Sequence, residues 1–298
     1  MSEQGYLKLL SKILRFGNTR TDRTGTGTIS LFGEQLRFDI RDSIPLLTTK
    51  RVPFRIIVEE LLWFLRGDTH NDVLKEKNVH IWDGNTSREF LDSRGLYDYE
   101  EGVLGKGYGW QIRHQGAPYD QKYADTRKVN RSLIGGFDQL EYIVQLLKTD
   151  PFSRRIMMSY WNPSDFGETS LVPCHVSCQF YVEEIEGKRY LSSHLYQRSN
   201  DVFLGTPFNI CSYSILTYIL AKKCDMIPKE FILSMGDVHI YSTHIDQVKT
   251  QLSRDPKPFP QMTVRDDIKD KDWHDMTVDD FILSDYYSHP PIKAPMAV

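Results

Sequence analysis

The spacing of apolar residues separates helices from strands along this chain. From Pro53 to Arg66, Phe54, Ile57, Val58, Leu61, Leu62 and Leu65 recur three and four apart, a stripe opened by proline and closed at Gly67. That period predicts a helix with one buried face. The stretch TGTGTISLFGEQLRFDI (24–40) mixes β-branched and aromatic residues with glycine, predicting two strands joined by a turn at Gly33. Further on, the pattern predicts a helix from Phe137 to Lys148, then strands in RRIMMSYW, CHVSCQFYVEE and YLSSHLYQRS, the last two meeting in a hairpin at Glu186 and Gly187. A long helix from Phe208 to Cys224, a strand from Phe231 to Met235, a helix from Thr243 to Arg254 and a strand from Asp280 to Tyr286 complete the series. Residues 91–137 are polar and rich in Gly, Tyr and Asp without a sustained period, and read as long surface connections. The order implies an α+β fold, one domain over 1–298 with a large mixed sheet packed with helices. No repeat, low-complexity tract or linker divides it. The apolar tail PPIKAPMAV is expected to dock on a surface or to close over a ligand.

With 298 residues, 40% hydrophobic and 12% aromatic, the chain can bury a full core. A net charge of -3 excludes the basic excess of a dedicated nucleic-acid or anionic-membrane binder, so any basic site is local. The N-terminus lacks a signal peptide's apolar segment, and no run approaches a membrane span, so the expected location is the cytoplasm or the nucleus. The four cysteines sit in apolar segments and are expected to be reduced thiols.

Chemistry concentrates around VPCHVSCQFYV (172–182). As a strand, this stretch would put Cys174, Val176 and Cys178 on one face and His175, Ser177 and Gln179 on the other, separating Cys174 from His175 as an activating base. The cysteine spacing lacks the second ligand pair of a zinc site. Buried apolar filler is the ordinary reading of an isolated cysteine and serves for Cys178, Cys211 and Cys224. A reactive thiol needs nearby cations, and the chain offers Arg23 in TDRTGTGT, where hydroxyls and glycine amides could cradle an anion, the pair Arg154 and Arg155, and Arg198 beside Ser199. Glu60, with helix neighbours Ile57, Trp63 and Phe64, is the carboxylate suited to proton handling, because desolvation would raise its pKa.

Taken together, TDRTGTGT, EELLWFLRGDT, IWDGN, DPFSRRIMMSYWNP, PCH, LYQRSNDVFLGTPFNI, GDVHIYSTH and APMAV resemble the thymidylate synthases over essentially the whole chain. The resemblance implies the thymidylate synthase fold, with the sheet used as the interface of a homodimer. It also implies methylation of dUMP to dTMP with 5,10-methylenetetrahydrofolate, which supplies carbon and hydride and leaves as dihydrofolate. No metal, membrane or nucleic acid is required. Cys174 would add to uracil C6. Arg23, Arg198 and Ser199, with Arg154 and Arg155 of the second protomer, would hold the phosphate. Asn209 would pair with uracil O4 and N3, and His239 and Tyr241 with the deoxyribose.

Glu60, His175 and Asn209 would handle protons, and Tyr108 would assist at C5. Asp201 would stand beside both ligands and hydrogen-bond the pterin. Ile81, Trp82, Asn85, Leu204, Phe208 and Ala297 would line the folate site, Gln197 and Gly205 would form the floor, and Val298 with Ala297 would close the lid. The chain departs from the family at GKGYGWQIR (105–113), where the usual pattern is close to GPVYGxQWR, so the path of that loop is open. No function attaches to Asn200. Two other readings are a uracil-nucleotide hydroxymethylase of the same superfamily and an inactive nucleotide-binding regulator.

Overall fold

In the computed structural model, which describes residues 3–297, the elements run α1 (Gln4–Phe16), β1 (Asn18–Arg20), β2 (Thr28–Asp39), α2 (Phe54–Arg66), α3 (Asp72–Lys75), α4 (Arg88–Ser93), α5 (Tyr108–His114), α6 (Gln139–Thr149) and β3 (Met157–Ser159), then β4 (His175–Ile185), β5 (Lys188–Asp201), α7 (Gly205–Lys223), β6 (Ile227–Tyr241), α8 (Ile245–Leu252), β7 (Gln261–Val264) and β8 (Phe281–Ser284). The main sheet has six strands in the order β1-β2-β6-β5-β4-β3. Among the described residues only β5 and β6 run parallel, because the long helix α7 carries the chain back between them. Strands β7 and β8 form a separate pair.

Helices cover one face of this sheet. Helix α7 has no polar stripe, its small polar residues being spread around it, and most of its side chains are buried where it packs on β5, β6 and α2. Helix α2 ends at Gly67, whose left-handed φ of 83° lets its N–H cap the carbonyls of Trp63 and Phe64. Helix α5 packs beside that end so closely that a Cβ on Gly109 would lie 2.6 Å from the Asp68 carbonyl oxygen. Among the described residues no helix covers the other face, which carries Gln35, Arg37, Gln179, Tyr181, His194, Tyr196, Ile232 and Ser234, with Met157 at the β3 edge. Tyr181 and Tyr196 stand 64% and 40% exposed there, more than solvent-facing aromatics need to be.

The structure corrects three expectations. Residues 24–40 form one strand, not two: β2 runs through Gly33 in unbroken register, pairing Phe32 with Asp237 and Glu34 with Met235. Gly33 takes a φ of 81° inside it, a kink that the sequence signals in the same way as a turn. Residues 91–137 are not all surface. Residues 102–112 are buried, they include most of α5, and Trp110 centres a small second core with Ala117 and Ile134. Third, β6 is far longer than Phe231–Met235, because its half-exposed positions interrupt the apolar signal.

Candidate active site

The site forms where the C-terminal ends of β5 and β6, the N-terminal turn of α7, α2 and α5 converge on the loop before β4. Cys174 lies in that loop and is half-buried, whereas Cys178, Cys211 and Cys224 are buried, and all four are free thiols. A bulge between His175 and Ser177 breaks the alternation at the start of β4. Without it, His175 would share the uncovered face with Ser177 and Gln179. The extra residue instead turns the imidazole inward, where Nδ1 meets the Tyr213 hydroxyl at 2.9 Å. The expected simple strand geometry fails here, but the imidazole is still engaged by tyrosine and not by the thiol.

Tyr108 closes the other side. Its hydroxyl accepts the Cys174 N–H at 2.8 Å, and its ring packs 4.8 Å from His175 and 5.0 Å from Phe64. Trp82 adds its ring at 6.1 Å from Tyr108 and donates its indole N–H to Glu60 Oε1 at 2.8 Å. Burial pushes the Glu60 carboxyl up to about 7, against the opposing effect of that indole bond. Burial also drives the His175 imidazole down to about 3, although a hydrogen bond with Asn209 works the other way, so His175 is neutral. A carboxyl that titrates near neutrality, linked through the Trp82 and Tyr108 rings to a neutral imidazole, is suited to proton transfer.

Arg198 binds this loop from below. Its Nε and Nη2 donate to the Pro173 and Val172 carbonyls, each at 2.9 Å, its guanidinium lies 5.4 Å over the Trp161 ring, and Nη2 stands 4.0 Å from Cys174 Sγ. Burial raises the Cys174 pKa, and Arg198, Arg23 and Tyr108 pull it back only in part. The arginines act with the expected sign, but desolvation outweighs them, so at neutral pH Cys174 is a thiol. The anion cradle expected in TDRTGTGT is already occupied. Asp22 Oδ2 accepts the Thr24 amide at 2.9 Å and Asp22 Oδ1 the Gly27 amide at 2.7 Å, which leaves the Arg23 side chain as the cation this loop presents.

Asn209 sits on the first turn of α7, half-exposed, with Oδ1 accepting from Gln197 Nε2 at 2.9 Å. Gly205 opens the same turn, and Leu204 and Phe208 pack half-buried against the core. Asp201 ends β5 opposite His239, its Oδ1 taking the amides of Phe203 and Leu204 at 3.0 and 3.1 Å. His239 holds Asp237 at 3.0 Å and stacks edge-on with Tyr241 at 5.1 Å, while Ser199 pairs with Asp237 on the neighbouring strand. Ile81 and Asn85 flank Trp82 in the turn before α4, both half-buried. The tail is tied down by His244 Nε2 on the Pro295 carbonyl at 2.7 Å and by Arg254 on the Pro290 carbonyl at 2.7 Å. Ala297 is half-buried near its end, and Val298 lies outside the described residues.

Arg154 and Arg155 do not join this group. Both are exposed in the turn before β3, and the Phe180 N–H on the Ile156 carbonyl fixes that turn alongside the middle of β4. At a strand rise of about 3.3 Å per residue, that is on the order of 20 Å from Cys174. The departure at 105–113 leaves Tyr108 in place. Lys106 stands where the usual pattern has proline, and its Nζ pairs with Asp165 at 3.1 Å and Glu168 at 2.9 Å, while Gln111 reaches Asp165 at 2.7 Å. Sequence reasoning missed Trp161 under Arg198 and Tyr213 against His175. Tyr213 could have been found, since it falls one helical turn after Asn209. Among the described residues, no cluster of three His, Cys, Asp or Glu side chains could hold a metal, and no helix is long and apolar enough to cross a membrane.

The thymidylate synthase family profile matches residues 4–298. The chain is 50% identical to thymidylate synthase of Saccharomyces cerevisiae over 303 residues, covering 99% of this chain and 97% of the yeast protein. It is 51% identical to thymidylate synthase of human herpesvirus 8 over 296 residues, covering 99% of this chain and 84% of the viral one. It is 50% identical to bifunctional dihydrofolate reductase-thymidylate synthase of Zea mays over 297 residues, spanning 99% of this chain and 54% of that longer protein.

Proposed function

The chain belongs to the thymidylate synthase family, and from that premise we propose how its own residues carry out the methylation of dUMP to dTMP. The observation that carries the proposal is the convergence of Cys174, Tyr108, His175, Asn209 and Glu60 on one cleft with Arg198 against the sulfur. Cys174 Sγ, once deprotonated, adds to uracil C6 and leaves C5 nucleophilic, the negative charge passing to O4. Asn209 meets the O4 and N3 edge. Glu60, half-protonated near neutrality, and neutral His175 exchange protons with that edge through water, and the Tyr108 hydroxyl, anchored to the Cys174 amide, stands beside C5 as its hydrogen leaves.

The folate co-substrate used by the family would supply the carbon and the hydride and depart as dihydrofolate. Half-buried Ile81, Leu204 and Phe208 with Trp82 offer the apolar wall such a ring system needs, and Asp201 and Asn85 offer polar contacts at its edge. With the Pro295 carbonyl held by His244, Ala297 would lie over the cleft and exclude water.

The phosphate reading involves a second protomer. Arg23, Arg198 and Ser199 come from one chain. Arg154 and Arg155 lie too far along β4 to reach the same site, but they stand at the edge of the uncovered sheet face. A copy docked on that face would bury Tyr181 and Tyr196 and carry its Arg154 and Arg155 toward this site, which supports a homodimer with shared active sites. The enzyme would act in the cytoplasm or nucleus.

Incubating the protein with dUMP and methylenetetrahydrofolate, and following dihydrofolate absorbance with the mass of the nucleotide, tests the reading. Stoichiometric dihydrofolate and dTMP are expected. A hydroxymethyl nucleotide without dihydrofolate would overturn it.

A further inference from the structure

Behind Asn209 lies a line of buried polar groups that the reaction itself does not use. Thr206, on the first turn of α7, donates its hydroxyl to Asn200 Oδ1, and Asn200 Nδ2 donates to Gln197 Oε1. Gln197 Nε2 then donates to Asn209 Oδ1 at 2.9 Å. Thr206, Asn200 and Gln197 are 0%, 2% and 1% exposed, so no water substitutes for a missing partner, while Asn209 alone opens on the cleft.

An amide keeps nearly the same shape when its oxygen and nitrogen exchange places, so packing does not orient Asn209. The hydrogen-bond line does, and it is self-consistent in two directions. In one, the Thr206 proton goes to its nearer acceptor, Asn200 Oδ1, and every amide follows as described. In the other, that proton goes to the Asp201 carbonyl at 3.2 Å and all three amides turn over. The first direction fixes Asn209 Oδ1 beside Gln197 and leaves Nδ2 to donate to a ring carbonyl. The second presents Oδ1, which accepts from a ring amino group. Uracil carries a carbonyl at that position and cytosine an amino group.

We infer that Asn200 and Thr206 are positioning residues that set the direction of this line, and thereby the preference of the site for a uracil over a cytosine nucleotide. The inference rests on the assignment of Asn209 to the pyrimidine edge. Because the line is dry and its amides are joined one to the next, reversing its first member reverses its last, and the neutral His175 bonded to Asn209 changes tautomer with it against the Tyr213 hydroxyl, which can donate or accept.

Asn200→Asp tests this with little change of shape. A carboxylate only accepts, so it takes the Thr206 hydroxyl on one side and requires Nε2 of Gln197 on the other, turning Gln197 Oε1 and then Asn209 around. Thr206→Val removes the proton that starts the line, and Thr206→Ser keeps it. Calorimetric Kd values for dUMP and dCMP would be measured on wild type and the three variants, with cooperative thermal unfolding as the check on folding. Wild type and Thr206→Ser are expected to prefer dUMP equally. Asn200→Asp should lower the dUMP-to-dCMP affinity ratio by roughly ten-fold or more, and Thr206→Val by less in the same direction.

If folded variants lose affinity for both nucleotides in proportion, the two residues are merely structural and the inference falls. Should the buried carboxylate prevent folding, an unchanged ratio in Thr206→Val overturns it alone. Wild-type protein that shows no preference for dUMP would sink the underlying assignment as well. A wild type that discriminates and turns over dUMP, with variants that discriminate equally, sinks only the inference.

Discussion

Replacing Arg198 by Gln isolates the electrostatic part of nucleophile activation. Nη2 stands 4.0 Å from Cys174 Sγ, and two unit charges at that distance attract by about 4 kcal/mol at an effective dielectric of 20. Both groups are partly exposed, and solvent screening reduces this to roughly 1–2 kcal/mol. Burial already holds the thiol protonated at neutral pH, so the thiolate fraction, and with it the rate of alkylation by iodoacetamide, should fall by about 5- to 30-fold in Arg198→Gln at pH 7. The sign is definite: removing a cation disfavours the anion, so the alkylation profile moves to higher pH and the variants converge at strongly alkaline pH. Arg198→Lys keeps the charge but loses the fork that holds the Pro173 and Val172 carbonyls, and should fall between the two. The assay needs no nucleotide and so does not depend on phosphate binding. An unchanged profile in folded Arg198→Gln, or an equal loss in Arg198→Lys, would refute the Coulombic argument and leave loop geometry as the role of this residue.

Glu60→Gln should abolish most methyl transfer and yet stabilise the protein. The carboxyl is raised from 4.5 to about 7 in the folded state, so the native chain binds more protons than the unfolded one across that window, and stability drops as pH rises through it, by on the order of 2–3 kcal/mol. Urea unfolding of Glu60→Gln should lose that slope and show the higher midpoint at pH 8. Lys106→Met leaves Asp165 with Gln111 and Asn162 as donors and removes a buried cation, so the urea midpoint should reflect a loss of about 2–3 kcal/mol, less than for a pair with no other donors. If the proposed homodimer uses the uncovered sheet face, Tyr181→Asp there should shift it to monomer in sedimentation and remove activity together with the dimer. Inactive Cys174→Ala and Arg154→Ala/Arg155→Ala chains, mixed under dissociating conditions and refolded together, should recover about a quarter of the wild-type sites, and no recovery would rule out shared sites.

Local periodicity sufficed for α2, α6, α7, α8 and the β4–β5 hairpin, because each carries its own apolar spacing and end signals within a few residues of sequence. The same reasoning took Gly33 for a turn, since a glycine kink inside a strand and a glycine turn between strands look alike until the partner strand is known. It also put residues 102–112 on the surface, because polar and glycine-rich composition does not reveal that Trp110, Gln111 and Lys106 find buried partners far along the chain. Motif resemblance supplied the candidate residues, and the apolar helix neighbours of Glu60 foretold its raised pKa, but the protonated state of Cys174 was not legible.

What the amino-acid order determined by itself was the kind of element wherever a strong apolar period runs, as in α2, α6, α7, α8 and the β4–β5 hairpin, and the identity of the reactive groups, for these follow from side-chain chemistry and from interactions over three or four residues. Tertiary structure decided the rest. The bulge after His175 turned the imidazole to the helix side, burial made a thiol of Cys174 despite two arginines, and the strand register left Arg154 and Arg155 on the order of 20 Å from the site. Solvent exclusion, hydrogen-bond direction and distance are sums over groups remote in sequence, so none of them exists until the sheet and α7 have closed around Asn209.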